Sequence, residues 1–331
     1  MSVAYDVIGY CYYLEDGVEE ANVIEYNLAA HVHFLGSPAR SSAQFTGWTY
    51  ASDDLILPAD VTASGFYVTN ANNYLRGNAA SGGWSGFAFP LLATPIKLHR
   101  SSTGVEPSKR ALLEFVGNSA HSGGWHGVAL AANIYFGGRL EHDASQLDAA
   151  TNAPILRYNP GRANPGRDSL TVLRDTKTFL SIGVGILHWG SQPEIIGAEA
   201  HDLGLSFSIL GNGYITKAYV RCRTGSLLQL PAGSASAVGM NGHGFEWYDT
   251  NQAHIVTNTT FHSCGVRTAS GQGSGPGDGC GDGTSGGCHR LSSVWSLLGH
   301  SDEHGRQPSG AACPHPLTSR CSHPLRLRAL D

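Results

Sequence analysis

Apolar residues along this chain fall into short runs rich in Val, Ile, Phe and Tyr, four to six residues each, bounded by Gly, Asn and Ser. Runs of that length between turn formers predict β-strands. Helical spacing is hardly visible; the nearest case is 191–205, where Pro193 and Gly197 argue against a helix. The runs also recur over a longer distance. Gly77-Asn-Ala-Ala-Ser-Gly-Gly-Trp-Ser-Gly86 returns, one residue longer, as Gly117-Asn-Ser-Ala-His-Ser-Gly-Gly-Trp-His-Gly127. Apolar alternation leads into both copies (Tyr74-Leu75 and Leu113-Glu-Phe115-Val116), and Phe87-Ala-Phe89 and Val128-Ala-Leu130 follow them. Weaker echoes lie at 206–212 and 254–261.

Each unit reads strand, Gly-Asn turn, short strand, Gly-Gly turn, strand. That grammar predicts an all-β fold, a right-handed parallel β-helix of the pectin-lyase-like kind with long loop insertions. Stacked coils place inward apolar residues in columns. An Asn at a repeated bend can ladder its amide from coil to coil, and Gly supplies the positive φ of such bends. The competing architecture is an antiparallel sandwich, for which Asn212-Gly213 and Asn241-Gly242 are hairpin signals. Repetition of a whole turn–Trp–strand unit favours the solenoid. Trp84 and Trp125 should then lie in neighbouring coils on one side, as an outward sugar-stacking strip or as core. The β-helix is expected over 1–303, with a Cys/Gly-rich loop at 265–290 and insertions at 39–63 and 139–168. Residues 304–331, rich in Pro, His and Arg, read as a disordered or non-native tail.

Composition narrows the function. With 21 basic and 26 acidic residues the net charge is −5, and no clustered basic face suggests a nucleic-acid partner. No apolar stretch is long enough to span a membrane, so direct insertion of this segment is not expected. The opening Met1-Ser-Val-Ala-Tyr-Asp6 has no signal-peptide character. Five of the seven cysteines follow position 263. Fifteen and then seven residues separate Cys264, Cys280 and Cys288, which matches no common zinc pattern and predicts a disulfide joining two of these three. Asn258-Thr259-Thr260 is a glycosylation sequon.

Several side chains could carry chemistry. Glu15 and Asp16 are adjacent, so in a strand only one faces a groove; the plainer expectation is that Asp16 caps the turn before Gly17 and Glu15 is solvated. His31 and His33 flank Val32 and would share one strand face, as a metal-binding pair or as ordinary exposed histidines. His243, Glu246, Trp247 and Asp249 mix aromatic and acidic groups suited to sugars, though Phe245 and Trp247 could equally face a core. Arg157, Arg162 and Arg167 fall in one Pro/Gly-rich insertion and could clamp the carboxylates of an anionic glycan, or simply keep the loop soluble. No cofactor is implied, and no catalytic pair of carboxylates is visible locally.

The segment Gly9-Tyr-Cys-Tyr-Tyr-Leu-Glu-Asp-Gly-Val-Glu-Glu-Ala-Asn-Val-Ile-Glu-Tyr-Asn27 resembles one coil of a known family. That family is the β-helix of the cell-migration-inducing hyaluronan-binding protein, its transmembrane hyaluronidase relative and the fibrocystin-like receptors. Residues 70–80, the two Gly-Trp-x-Gly sites, 257–265 and 293–302 are similar too. Met1 falls where the family is mid-helix, so the chain reads as an N-terminally truncated piece. The resemblance implies an extracellular or cell-surface location and binding of an anionic polysaccharide such as hyaluronan, with depolymerisation as an added activity. The alternative is a receptor-like ectodomain with a protein partner and no catalysis. A pectinase-like enzyme rests on fold analogy alone.

Overall fold

The computed structural model describes residues 1–33, 63–90, 92, 94–123, 132–136, 170–189, 192–210, 213–222, 224, 242–247, 253–264, 289–291 and 295–298. They form a parallel β-helix, as the repeated turns predict, whose coils pass through three faces in turn. Face 1 holds β2 (Tyr10–Leu14), β5 (Ser64–Val68), β8 (Ser85–Phe89), β11 (Ala132–Phe136), the later parts of β13 (Lys177–Trp189) and β15 (Glu199–Leu210), and β18 (His243–Trp247). Face 2 holds β3 (Val23–Glu25), β6 (Tyr74–Arg76), β9 (Glu114–Val116), β12 (Thr171–Arg174), β14 (Pro193–Ile196), β16 (Gly213–Thr216) and β19 (Ala253–Thr257). Face 3 holds β1 (Val3–Ile8), β4 (Leu28–His33), β7 (Ala79–Gly82), β10 (Ser119–His121), the starts of β13 and β15, β17 (Tyr219–Arg221) and β20 (Thr259–His262). Among the described residues, pairing from β1 to β20 is parallel throughout. The last strands, β21 (His289–Leu291) and β22 (Trp295–Leu298), run antiparallel to β20 and β19. The parallel helix therefore does not continue unchanged to 303; the returning strands cover backbone that an open edge would expose. The boundary at 303 and the tail beyond it lie outside the described residues. No described helix is long and apolar enough to cross a membrane.

The corner between faces 2 and 3 shows why Gly-Asn recurs. Its first residue takes a positive φ in coil after coil: Tyr26, Gly77, Gly117, Asp175, Gly197, Lys217 and Asn258. The second position is Asn27, Asn78 or Asn118 in the first coils. The Asn78 Oδ1 accepts from the Asn27 backbone N–H at 3.0 Å and its Nδ2 at 3.1 Å, and Asn118 Oδ1 does the same for Asn78 at 2.9 and 3.1 Å. Each amide nitrogen also donates across the coil, Asn78 to the Ile24 carbonyl at 2.8 Å and Asn118 to the Leu75 carbonyl at 2.9 Å.

Inside, register builds columns. Tyr12, Phe66, Phe87, Ile134, Ile186, Phe207 and Phe245 follow one another up face 1. The rings of Tyr12, Phe66 and Phe87 stack at 4.6 Å between successive centroids. Face 3 answers with small residues, Ala29, Ala80, Ala120 and Ala200, all buried. The fit is tight: a Cβ on Gly86 would come within 2.6 Å of the Ala120 Cβ. Part of the glycine excess is thus packing rather than turning. Trp84 is fully buried, its ring 4.8 Å from Tyr135, so it is no part of an exposed sugar strip. Its repeat partner Trp125 lies outside the described residues.

A second inward column of face 1 runs from Phe89 to Phe136, stacked at 4.1 Å, and then to His188, whose ring centroid is 5.3 Å from Phe136. Burial pushes the His188 pKa down to about 3. The folded state thus keeps His188 neutral, whereas an unfolded chain protonates it near pH 6.5. Below that pH the unfolded state binds the extra proton. The stability is whole above pH 6.5 and declines as pH falls from 6.5 towards 3, by up to about 1.4 kcal/mol per pH unit. His188→Phe, which extends the phenyl stack, should flatten this acid limb. Urea titrations at pH 7 and pH 5 check it: the gap between the two pH values should shrink by about 2 kcal/mol relative to wild type.

Candidate functional site

The outer side of face 3 is the best-built surface among the described residues. Strands there begin outward, inward, outward. The inward positions, Ala120, Thr178, Ala200, Val220 and Phe261, are buried. The second outward column reads His121, Phe179, His201, Arg221 and His262, in register over five successive coils. At the strand spacing of about 4.8 Å these five positions span about 19 Å. Beside them run Ser119, Lys177, Glu199, Tyr219 and Thr260.

The rings of neighbouring coils pack against one another. His121 stacks on Phe179 at 4.5 Å with 13° between planes, and His201 leans on Tyr219 at 5.7 Å. His121 Nδ1 shares a 3.0 Å hydrogen bond with Ser122 Oγ, and His262 Nδ1 a 2.7 Å bond with Ser263 Oγ. Partial burial lowers the His121 pKa. Lys177 pairs with Glu199 at 3.2 Å. After the strip the chain enters the left-handed region at Ser122, Leu180, Asp202 and Ser263, which turns it towards face 1. The buried Asp202 accepts the Thr224 backbone N–H at 2.6 Å and also bonds its hydroxyl. Such a strip offers aromatic side chains, with Tyr219 40% exposed, and cations for carboxylates.

Sequence reading missed this strip. A signal existed in Ser119-Ala-His-Ser122, Glu199-Ala-His-Asp202 and Thr260-Phe-His-Ser263, three copies of one local pattern.

The residues singled out from sequence scatter. Arg157, Arg162, Arg167 and Asp249 lie outside the described residues. His243 is half-buried at the start of β18, Phe245 is buried as the core alternative required, and Glu246 and Trp247 fall at the registers of Ser208 and Ile209. That strand belongs to face 1, not to the strip. Asp16 does not cap its turn. Glu19 does, accepting the backbone N–H groups of Glu15, Asp16 and Gly17 at 3.2, 3.0 and 2.8 Å. Asp16 is buried and bonds His99 Nδ1 at 2.6 Å, while Glu15 pairs with Lys97 rather than with water. Both acids tie the 94–110 loop to the first coil. His31 and His33 do share a side, and the structure adds Asp6 to them. Cys264 bonds Cys222, not Cys280 or Cys288; the latter two lie outside the described residues. Asn258 of the sequon is exposed at its corner.

With the parallel coils and the strip in view, the comparisons with known proteins are direct. Residues 1–128 match the CEMIP beta-helix family model. The wider chain is similar to a G8 domain-containing protein of Dictyostelium discoideum, 40% identical over 265 residues, which is 79% of this chain and 18% of that protein. It is similar to Communication mutant protein F of the same organism, 40% identical over 272 residues, 81% of this chain and 24% of the relative. Mouse Fibrocystin-L is 34% identical over 128 residues, 38% of this chain and 3% of that protein. The chain thus spans about a fifth of the length of the Dictyostelium relatives. The CEMIP beta-helix match covers β1 to β10, and the identity to the Dictyostelium proteins extends well past it.

Proposed function

We propose that the outer side of face 3 binds an anionic polysaccharide of the hyaluronan class, with the chain acting as part of an extracellular or cell-surface protein. The observation that carries this reading is the column of His121, Phe179, His201, Arg221 and His262, in register up five coils. A repeating polymer suits a repeating surface: sugar rings pack against the exposed Tyr219, and regularly spaced carboxylates meet Arg221, Lys177 and imidazoles. Similarity to the CEMIP beta-helix supports the ligand class, and the buried Cys222–Cys264 disulfide supports an oxidising compartment. Arg157, Arg162 and Arg167 remain candidates for a further clamp. Among the described residues, the two outward columns hold one carboxylate, Glu199, already paired with Lys177. Cleavage of a glycosidic bond generally needs two converging carboxyl groups, so the reading is binding rather than hydrolysis.

The test is calorimetric titration of the full chain with hyaluronan oligosaccharides at low and high salt. The double variant Phe179→Ala, Arg221→Ala should bind more weakly by more than about tenfold, the equivalent of about 1.4 kcal/mol. Wild-type affinity should fade as salt screens the cations. Equal affinity for wild type and variant, both folded by circular dichroism, would contradict the strip's role. Binding by a protein partner but no glycan would favour the receptor-like alternative.

A further inference from the structure

We propose that Asp6, His31 and His33 form a binding site for a divalent transition metal, with Zn²⁺ as the fitting ion. The ligand atoms of the three side chains all lie within 4.8 Å of one another. His31 Nδ1 is 3.3 Å and His33 Nε2 2.5 Å from Asp6 Oδ1. Donors bound to zinc at 2.0–2.1 Å with tetrahedral angles sit about 3.3 Å apart. The His31–Asp6 pair already has that spacing, and His33 needs only a small swing to exchange its hydrogen bond for a shared ion. Two imidazoles and one carboxylate are a donor set that zinc and its neighbours accept, with positions left for water.

The fold explains how the three meet. β1 pairs with β4 so that Tyr5 lies opposite Ala30 and Val7 opposite Val32, which places Asp6 beside His31. Both take φ of 58°, the left-handed bend that closes face 3 in coil after coil. Farther along, the same bend carries Gly82, Ser122, Leu180, Asp202 and Ser263. Only at this end of the described column do two potential ligands stand on adjacent strands, and His33, two residues on, supplies the third. The backbone there is held on both sides. The His31 N–H donates to Ser81 Oγ at 3.3 Å, and the His33 carbonyl accepts the Gly9 N–H at 3.0 Å. All three side chains keep substantial exposure, with 59% for His31, 60% for Asp6 and 35% for His33, so an ion can reach them. The site lies apart from the glycan strip and stands or falls independently of it.

Zn²⁺ alone, titrated calorimetrically into the full chain after chelator treatment, tests the proposal. The chain holds 16 histidines, so the informative quantity is the difference between variants. Wild type should bind one equivalent more, in its tightest phase, than His31→Ala, His33→Ala. Asp6→Asn should weaken that phase by at least about tenfold, the lower bound for disturbing even a group outside the ligand shell. His33→Gln keeps a hydrogen-bond donor towards Asp6 yet replaces the imidazole, so a purely structural contact survives it whereas zinc binding does not. Identical zinc stoichiometry and affinity in wild type and these variants, all folded by circular dichroism, would overturn the site.

Discussion

Replacing both partners of the disulfide, as Cys222→Ser, Cys264→Ser, should cost about 4 kcal/mol of stability. The bond closes a loop across a sequence separation of 42 residues, and chain-entropy arguments give about that value for a loop of such length. Both sulfurs are buried at the third-face end of neighbouring coils, so the serine hydroxyls also lose their water. Denaturant titration of wild type with and without reductant, beside the double variant, measures the loss. Reduced wild type should unfold at a lower midpoint than oxidised, and the variant at or below that midpoint. A midpoint indifferent to reduction would show that coil stacking alone holds this end together.

Asn78→Ala should be comparably damaging, at about 2–5 kcal/mol. The side chain is buried and occupied on every side. Its removal orphans the Asn27 N–H and the Ile24 carbonyl and takes one donor from Asn118 Oδ1. A fully buried group left without a partner costs about 1–3 kcal/mol, and the half-buried Asn27 and Ile24 groups sit towards the lower end. Asn78→Asp is the discriminating companion. It keeps the accepting oxygen but replaces the donor to Ile24 and Asn118 with a buried charged oxygen facing both acceptors, and should be at least as destabilising as alanine when unfolding is followed by circular dichroism at neutral pH.

How much of this could be read beforehand follows from what constrains each residue. Gly77-Asn78 and Gly117-Asn118 were legible because the bend demands them twice over, a positive φ at the first residue and a laddering amide at the second. The phenylalanine column was legible as alternating apolar runs. Coil length was harder, because insertions hide it: the step from Asn27 to Asn78 is 51 residues and from Asn78 to Asn118 only 40. The partner of Cys264 was hidden for a related reason. Nearness in sequence favoured Cys280 and Cys288, but register sets Arg221 against His262 and so carries Cys222 to Cys264. Asp16 was assigned a cap that Glu19 provides, since a carboxylate three residues farther on reaches back to the same N–H groups. Asp6 joined the two histidines through β1–β4 pairing, which no local spacing announces. The strip on face 3 is harder to read because its contacts run between coils, and its three copies of the x-x-His pattern are separated by unequal lengths of chain.

Side-chain footprinting with hydroxyl radicals tests the central claim most directly. Tyr219 lies on the glycan strip of face 3 and Tyr214 on face 2, and both are 40% exposed, so each serves as the other's control. On adding hyaluronan oligosaccharides to the full chain, Tyr219, Phe179 and His201 should lose reactivity while Tyr214 and Tyr74 keep theirs. Protection of Tyr214 and Tyr74 with Tyr219 unchanged, or no protection of any of them at saturating glycan, would contradict the account.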